Sequence, residues 1–105
     1  MIVTVFRSRL KDGARAEYDP LAAQMSALAR AMPGYIAHKV FTAEDGERVT
    51  IVEFEDEETQ RAWAMHPDHR AAQAKGRRDF YAEYSLQICE VKRVSRKAAS
   101  DELLT

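Results

Sequence analysis

The 105-residue sequence is poor in the residues that mark several protein classes: it has one cysteine, three prolines, four glycines and no asparagine. A single thiol, Cys89, cannot form an internal disulfide or a cysteine metal cluster, so we expect it to be a small buried side chain in a strand. The apolar runs are only a few residues long, whereas a membrane helix needs about 20. The first residues lack the basic and apolar regions of a signal peptide, and we expect a cytoplasmic protein without membrane contacts.

The sequence also has no large excess of positive or negative charge. Sixteen basic and seventeen acidic residues give a net charge of −1. Because nucleic-acid binders gain most of their affinity by neutralising phosphates, we expect no nucleic-acid partner. The length allows one domain with one core, which we place at residues 1–94, followed by a polar tail at residues 95–105.

Four segments are rich in β-branched and aromatic residues and are predicted to be strands: residues 2–8, 35–42, 48–55 and 84–94. The second and third flank an Asp45-Gly46 pair, which is typical of a tight hairpin. A helix is predicted between the first two strands, because apolar residues there recur every three or four positions up to Met32. Pro20 leaves two interpretations open: a helix that begins at Pro20, or a longer one from about Ala14 that is kinked there.

A second helical region follows the third strand. Asp56 is predicted to cap a short helix that runs through Trp63. Pro67 suits the first turn of another helix, at about residues 67–81. One face of this last helix would carry His69, Gln73, Gly76 and Phe80.

The order β-α-β-β-α-β predicts an α+β ferredoxin-like fold, a four-stranded antiparallel sheet with helices on one side. Both faces of the predicted strands carry large apolar residues: Val3 and Val5 oppose Ile2 and Phe6, and Ile36 and Val40 oppose Tyr35, Ala37 and Phe41. The helices cover only one face, and soluble monomers rarely expose so large an apolar patch. We therefore expect a symmetric homodimer.

Several short motifs agree in order and spacing with one known family. They are Met32-Pro33-Gly34-Tyr35, the segment from Phe41 through Asp45-Gly46-Glu47-Arg48, Phe54-Glu55, and the series Trp63, His66-Pro67, His69, Ala72-Gln73, Gly76-Arg77, Phe80-Tyr81 and Tyr84. Over about residues 1–94 the sequence resembles the antibiotic biosynthesis monooxygenase family. The resemblance implies a dimeric α/β barrel with a pocket between the helices and the sheet of each subunit. Members of the family that the sequence resembles include enzymes that oxidise phenols or anthrones to quinones without a cofactor, and others that degrade haem.

Cofactor-free oxygenation requires an apolar pocket and a group that accepts a proton from the substrate. We predict Trp63 as a stacking wall and His66 or His69 as the proton acceptor, because histidine titrates near neutral pH. The other predicted substrate-binding residues are Tyr35, Gln73, Phe80 and Tyr81. Each of these residues could instead have a structural role. Trp63 and the tyrosines are also typical core residues, and His66 is also placed to cap a helix. His38 would belong to the dimer interface if it faced away from the helices.

Two alternatives to a cofactor-free oxygenase stay open. Haem-degrading relatives carry an iron-binding histidine ten residues after the tryptophan, whereas this chain has Gln73 there, a poor iron ligand. They also use an asparagine on the first strand, and this chain has none. Haem is therefore disfavoured, and no metal or other cofactor is expected. The second alternative is a dimeric binding module that holds a small apolar molecule without reacting with it.

Overall fold

The computed structural model describes residues 1–97 and contains the predicted ferredoxin-like α+β fold. Its elements are β1 (Ile2–Leu10), α1 (Arg15–Arg30), β2 (Tyr35–Thr42), β3 (Arg48–Phe54), α2 (Glu57–Met65), α3 (Pro67–Lys75), a π-helical turn (Gly76–Phe80) and β4 (Tyr81–Glu90). The strands form one antiparallel sheet in the order β2-β3-β1-β4. Residues 98–105, most of the predicted tail, lie outside the described part. No helix within residues 1–97 is long and apolar enough to cross a membrane.

The hairpin between β2 and β3 forms at the predicted place. The amide of Ala43 donates to the carbonyl of Glu47 at 2.8 Å, and the amide of Gly46 donates to the carbonyl of Ala43 at 2.9 Å. Gly46 has φ +90°, a value that glycine adopts without steric cost. The hairpin sets the pairing of β2 with β3, which places His38 opposite Val52.

The longer of the two interpretations of α1 is correct, because the helix begins at Arg15 and contains Pro20. Proline removes one intrahelical hydrogen bond, but the apolar residues on both sides of Pro20 remain on one face. This face packs on the sheet, and Ala29 joins the buried cluster with Phe54 and Trp63. The core therefore lies where α1 and α2 meet the start of β2 and the end of β3.

The cap of α2 is as predicted. The side chain of Asp56 accepts a hydrogen bond from the amide of Thr59 at 2.8 Å, and the hydroxyl of Thr59 accepts one from the amide of Asp56 at 3.4 Å. These bonds form a capping box, which satisfies amides that a helix start leaves without a partner.

The predicted boundaries after α3 are wrong. The helix expected at residues 67–81 ends at Lys75 and passes through the π-helical turn, and β4 begins at Tyr81 instead of residue 84. The π-helical turn continues the helical backbone with i→i+5 hydrogen bonds, so the apolar spacing alone did not reveal where α3 ends. β4 ends at Glu90 instead of Val94, because Glu90 pairs with Ile2, the first residue of β1, and no strand lies beyond it.

The predicted face of Tyr35 is also wrong. The pairing of β2 with β3 contains an irregularity between Tyr35 and Ala37, so Ile36 is an extra residue. An extra residue reverses the alternation of side chains along a strand. Tyr35 therefore lies on the helix side with His38, in contact with the ring of Phe54, and not with Ala37 on the opposite face.

Candidate functional site

A cavity of about 240 Å³ lies between the helices and the sheet. Small and apolar side chains of α1 form one wall, and those of α2 and α3 form the roof. The lining residues from these helices include Leu21, Ala22, Met25, Ala64 and Ala72. Its volume lies just below the roughly 300–1,000 Å³ of small-molecule sites, so it suits a compact apolar ligand.

The register of the strands arranges the side chains on the helix side of the sheet in three rows, and most of these residues line the cavity. The histidine row contains Thr4, His38, Val52 and Ile88; the middle row contains Phe6, Val40, Thr50 and Leu86; the arginine row contains Ser8, Thr42, Arg48 and Tyr84. Tyr84, Leu86 and Ile88 are 47%, 48% and 56% exposed although they line the cavity. The cavity is therefore open to solvent along β4, at the edge of the sheet.

A stacked pair of rings forms the inner end of the cavity. The rings of Trp63 and His69 lie 3.8 Å apart between centroids, with an angle of 12° between their planes. The capped helix α2 positions Trp63, and the turn at His66 brings α3 back so that His69 reaches the indole. Both side chains line the cavity. Trp63 is therefore a core residue and a cavity wall at once.

One hydrogen bond determines which nitrogen of His69 can accept a proton. Nδ1 lies 3.0 Å from the backbone carbonyl oxygen of Trp63. A carbonyl can only accept, so Nδ1 carries the hydrogen and Nε2 of the neutral ring is the acceptor. Burial lowers the pKa of His69, and the charge of His66 acts in the same direction, against the hydrogen bond to Trp63. His69 is therefore a neutral base at pH 7.

A second histidine lies in a chain of hydrogen bonds on the same floor. The hydroxyl of Tyr35 is 2.7 Å from Nδ1 of His38, and Nε2 of His38 is 3.1 Å from the hydroxyl of Ser26 on α1. Burial and the charge of Arg30 lower the pKa of His38. His38 thus faces the helices, and the condition for placing it in the dimer interface is not met.

Aromatic and cationic side chains form the outer end of the cavity. Tyr81 packs against Tyr18 and Phe6, with ring centroids 5.9 Å and 5.3 Å away. Burial, together with the nearby Tyr18, raises the pKa of Tyr81, so its hydroxyl stays protonated. The guanidinium of Arg48 lies 5.0 Å from the centroid of the Tyr18 ring.

The structure brings together four of the seven predicted site residues: Trp63, His69, Gln73 and Tyr81 line the cavity. The other three do not. Nδ1 of His66 accepts a hydrogen bond from the amide of Asp68 at 3.1 Å, so this ring caps α3. Tyr35 lies behind His38, and Phe80 is buried against Tyr18.

The lining residues that sequence reasoning missed include Tyr18, Ser26, His38 and Arg48. Tyr18 was part of the apolar helix pattern, and the polar residues of β2 and β3 gave no signal of their own. The register of the sheet places His38 and Arg48 on the cavity floor.

The model of the antibiotic biosynthesis monooxygenase family matches residues 1–75, more than two thirds of the chain. The chain belongs to this family. The antibiotic biosynthesis monooxygenase match ends at Lys75, before the π-helical turn and β4, so Tyr81 and the residues at the opening lie outside it.

One relative matches by sequence and others by structure, all at low sequence identity. The uncharacterized protein YqjZ of Bacillus subtilis is 28% identical over 89 residues, which cover 85% of this chain and 78% of that protein. Rv0793 of Mycobacterium tuberculosis superposes with a TM-score of 0.80 at 14% identity, over 90% of this chain and 98% of that one. SnoaB, a cofactor-independent oxygenase of Streptomyces nogalater, superposes with a TM-score of 0.75 at 18% identity, over 91% of this chain and 97% of that one.

The cavity side chains do not fit a haem iron at the position where haem-degrading relatives bind it. Ten residues after Trp63 stands Gln73, whose amide lines the cavity and is a poor iron ligand. Residues 1–97 also contain no group of three or more His, Cys, Asp or Glu side chains that could hold a metal ion.

Proposed function

We propose that this family member is a cofactor-independent monooxygenase that oxidises a small aromatic phenol, anthrone or quinol with O₂. The observation that carries the proposal is the stacked pair of Trp63 and His69 at the inner end of an apolar cavity. The stacked pair lines the cavity, so an aromatic ring bound there lies against it. The free Nε2 of His69 provides a neutral base beside it.

The reaction follows from the electrons that the substrate supplies. With an anthrone, His69 removes a proton from the ring CH₂, and the resulting anion transfers one electron to O₂. The two radicals combine into a peroxide on that carbon, and the peroxide loses water to leave a carbonyl. One oxygen atom of O₂ enters the product and the other leaves in water, so the four electrons come from the CH₂ group and no further reductant is needed.

The cavity contributes to this reaction in three ways. General base catalysis by a positioned side chain accelerates proton removal by about 10²–10⁴-fold. The Tyr81 hydroxyl, which stays protonated, is a donor for a ring oxygen of the substrate. The apolar lining limits the water around the reactive anion.

We also propose that the protein acts as a symmetric homodimer through the sheet face opposite the helices. This face carries Val3 and Val5 of β1, Val49 and Ile51 of β3 and Phe41 of β2. These side chains are half-buried, and Phe41 is 48% exposed. A second copy that covers this face buries its apolar surface, which stabilises the dimer by about 25 cal/mol for each Å² buried.

The test of the oxygenase proposal is oxygen consumption by the metal-free protein with a panel of anthrones, naphthols and hydroquinones. His69→Gln should lower kcat by about 10²–10⁴-fold, because it removes the base and keeps a polar side chain of similar length. His66→Gln is the matched control, since His66 caps α3 outside the cavity. Trp63→Phe should raise KM more than it lowers kcat, because it reduces the stacking wall.

Two outcomes would count against the oxygenase. Uptake that His69→Gln leaves unchanged would exclude the proposed base. Ligand binding without uptake above the uncatalysed rate, for every compound, would favour the non-catalytic binding module. Spectral titration with haem would then test the remaining alternative.

A further inference from the structure

The charged side chains that line the cavity have one sign. Arg48 and Arg77 are the two charged residues of the lining, and no aspartate or glutamate of residues 1–97 is part of it. This contrasts with the whole chain, in which acidic residues outnumber basic ones by seventeen to sixteen. A cleft with one sign of charge and apolar walls concentrates the field inside it, so this cavity attracts anions.

Arg48 is the more enclosed of the two arginines. Its side chain is only 15% exposed, and it forms a long ion pair with the more exposed Asp19, whose carboxylate oxygen is 3.9 Å from Nη1. The side chain of Asp19 is 54% exposed, and the distance is too long for a hydrogen bond. The neighbouring Glu47 is bonded to Arg7 instead, at 2.8 Å.

The N–H groups of the Arg48 guanidinium are therefore available to a ligand as hydrogen-bond donors. No side chain or backbone group within residues 1–97 accepts a hydrogen bond from it. A largely buried charge is normally paired, because removing it from water is costly. The contact with the Tyr18 ring fixes the position of the guanidinium but leaves its N–H groups available.

The distance from Arg48 to the histidine row indicates the length of a ligand that could contact both. Arg48 precedes Val52 of the histidine row by four residues along β3, and a strand rises about 3.4 Å per residue, so the two rows are about 14 Å apart. Between them lies the middle row, in which Phe6, Val40 and Leu86 are apolar. An elongated molecule with an apolar centre spans this distance.

We propose that Arg48 is an anion-binding residue and that the cavity selects aromatic carboxylates, with the carboxylate at the arginine row and the ring toward Trp63. A guanidinium binds a carboxylate through two parallel N–H···O bonds, which orients a planar acid. The Tyr81 hydroxyl beside Tyr18 adds a neutral donor at the same end. The assignment shares with the proposed function the premise that the cavity binds the ligand, but it does not depend on oxygen chemistry.

Isothermal titration calorimetry under anaerobic conditions tests this assignment with a pair of probes. The first is 6-hydroxy-2-naphthoate, and the second is 2-naphthol, which lacks the carboxylate. The wild type should bind the naphthoate at least about tenfold more tightly, the smallest gain expected from a hydrogen bond to a charged group. Arg48→Met should abolish this preference and leave the Kd of 2-naphthol within about threefold, because methionine keeps the apolar stem and loses only the charge.

Arg61→Met is the matched control, because it removes one positive charge from an exposed position on α2 outside the cavity. It should keep the full preference. If Arg48→Met fails to fold, the salt dependence of the wild type replaces it: rising NaCl should weaken naphthoate binding and leave 2-naphthol binding unchanged.

Four results would overturn the assignment: equal binding of the two probes by the wild type, binding of neither, a preference that survives Arg48→Met, or a preference that salt leaves unchanged. The readout is separate from turnover. A preference that depends on Arg48 without oxygen consumption would contradict the oxygenase alone, and oxygen consumption without the preference would contradict this assignment alone.

Discussion

Gly76 is the position where a single methyl group tests the packing of the cavity most directly. A Cβ atom added to Gly76 would lie 3.0 Å from Cζ of the Tyr81 ring and closer still to its Cε2. The ring has little room to move, because the rings of Phe6, Tyr18 and Tyr84 lie within 6.0 Å of it between centroids. Gly76→Ala therefore forces the Tyr81 ring out of its present position.

The magnitude follows from two opposing effects. Overpacking a filled site costs about 1–3 kcal/mol. The backbone of Gly76 is helical, at φ −59° and ψ −47°. Alanine has a higher helix propensity than glycine and stabilises such a position by about 0.8–1.0 kcal/mol. The net cost is about 0–2 kcal/mol, so we expect Gly76→Ala to lower the free energy of unfolding by about 1 kcal/mol, which corresponds to a fall in Tm of roughly 4–8 °C for a domain of this size.

Urea unfolding at one fixed protein concentration measures this change. The Tyr81→Ala background provides the control, because it removes the ring. There Gly76→Ala should be neutral or slightly stabilising, so the double-mutant cycle should give a coupling free energy of about 1–3 kcal/mol. A double-mutant cycle without coupling would refute the proposed contact.

Two further predictions concern pH and assembly. The unfolded chain protonates His69 near pH 6.5, whereas burial lowers the pKa of this residue in the folded protein. The neutral His69 therefore contributes its whole stabilisation above about pH 6.5, and this contribution is lost as the pH falls through the lower folded pKa. The urea midpoint should drop between about pH 7 and pH 5. In His69→Gln the midpoint should depend less steeply on pH. Sedimentation at micromolar concentration should give twice the chain mass of 11.9 kDa, and Ile51→Glu should return it toward the single mass. A monomeric wild type would contradict the dimer.

The order of the elements, the hairpin and the cap of α2 could be predicted from the sequence because each depends on neighbouring residues. Gly46 supplies the turn conformation within its own hairpin, and Asp56 caps a helix that starts at the next residue. The stacking of Trp63 and His69 also follows from local spacing, once the turn at Pro67 is recognised. The sequence thus named both residues as site candidates, but the contact between their rings is a finding of the structure.

The outer end could not be predicted in the same way. Arg48 and Tyr18 are thirty residues apart, and only the packing of α1 on β3 brings them together. The face of Tyr35 depends on one extra residue, Ile36, whose presence in the pairing no local pattern indicates. The start of β4 depends on the length of its partner β1. Each of these features is a property of contacts between distant segments.

The position of β4 at the sheet edge has a consequence for the handling of the protein. An edge strand presents unpaired backbone groups to other chains, and native proteins usually protect it with charge or cover. On the helix side β4 instead carries Tyr84, Leu86 and Ile88, each about half exposed at the opening of the cavity. We therefore expect this surface to favour aggregation, and we expect a ligand bound in the cavity to reduce aggregation by covering it.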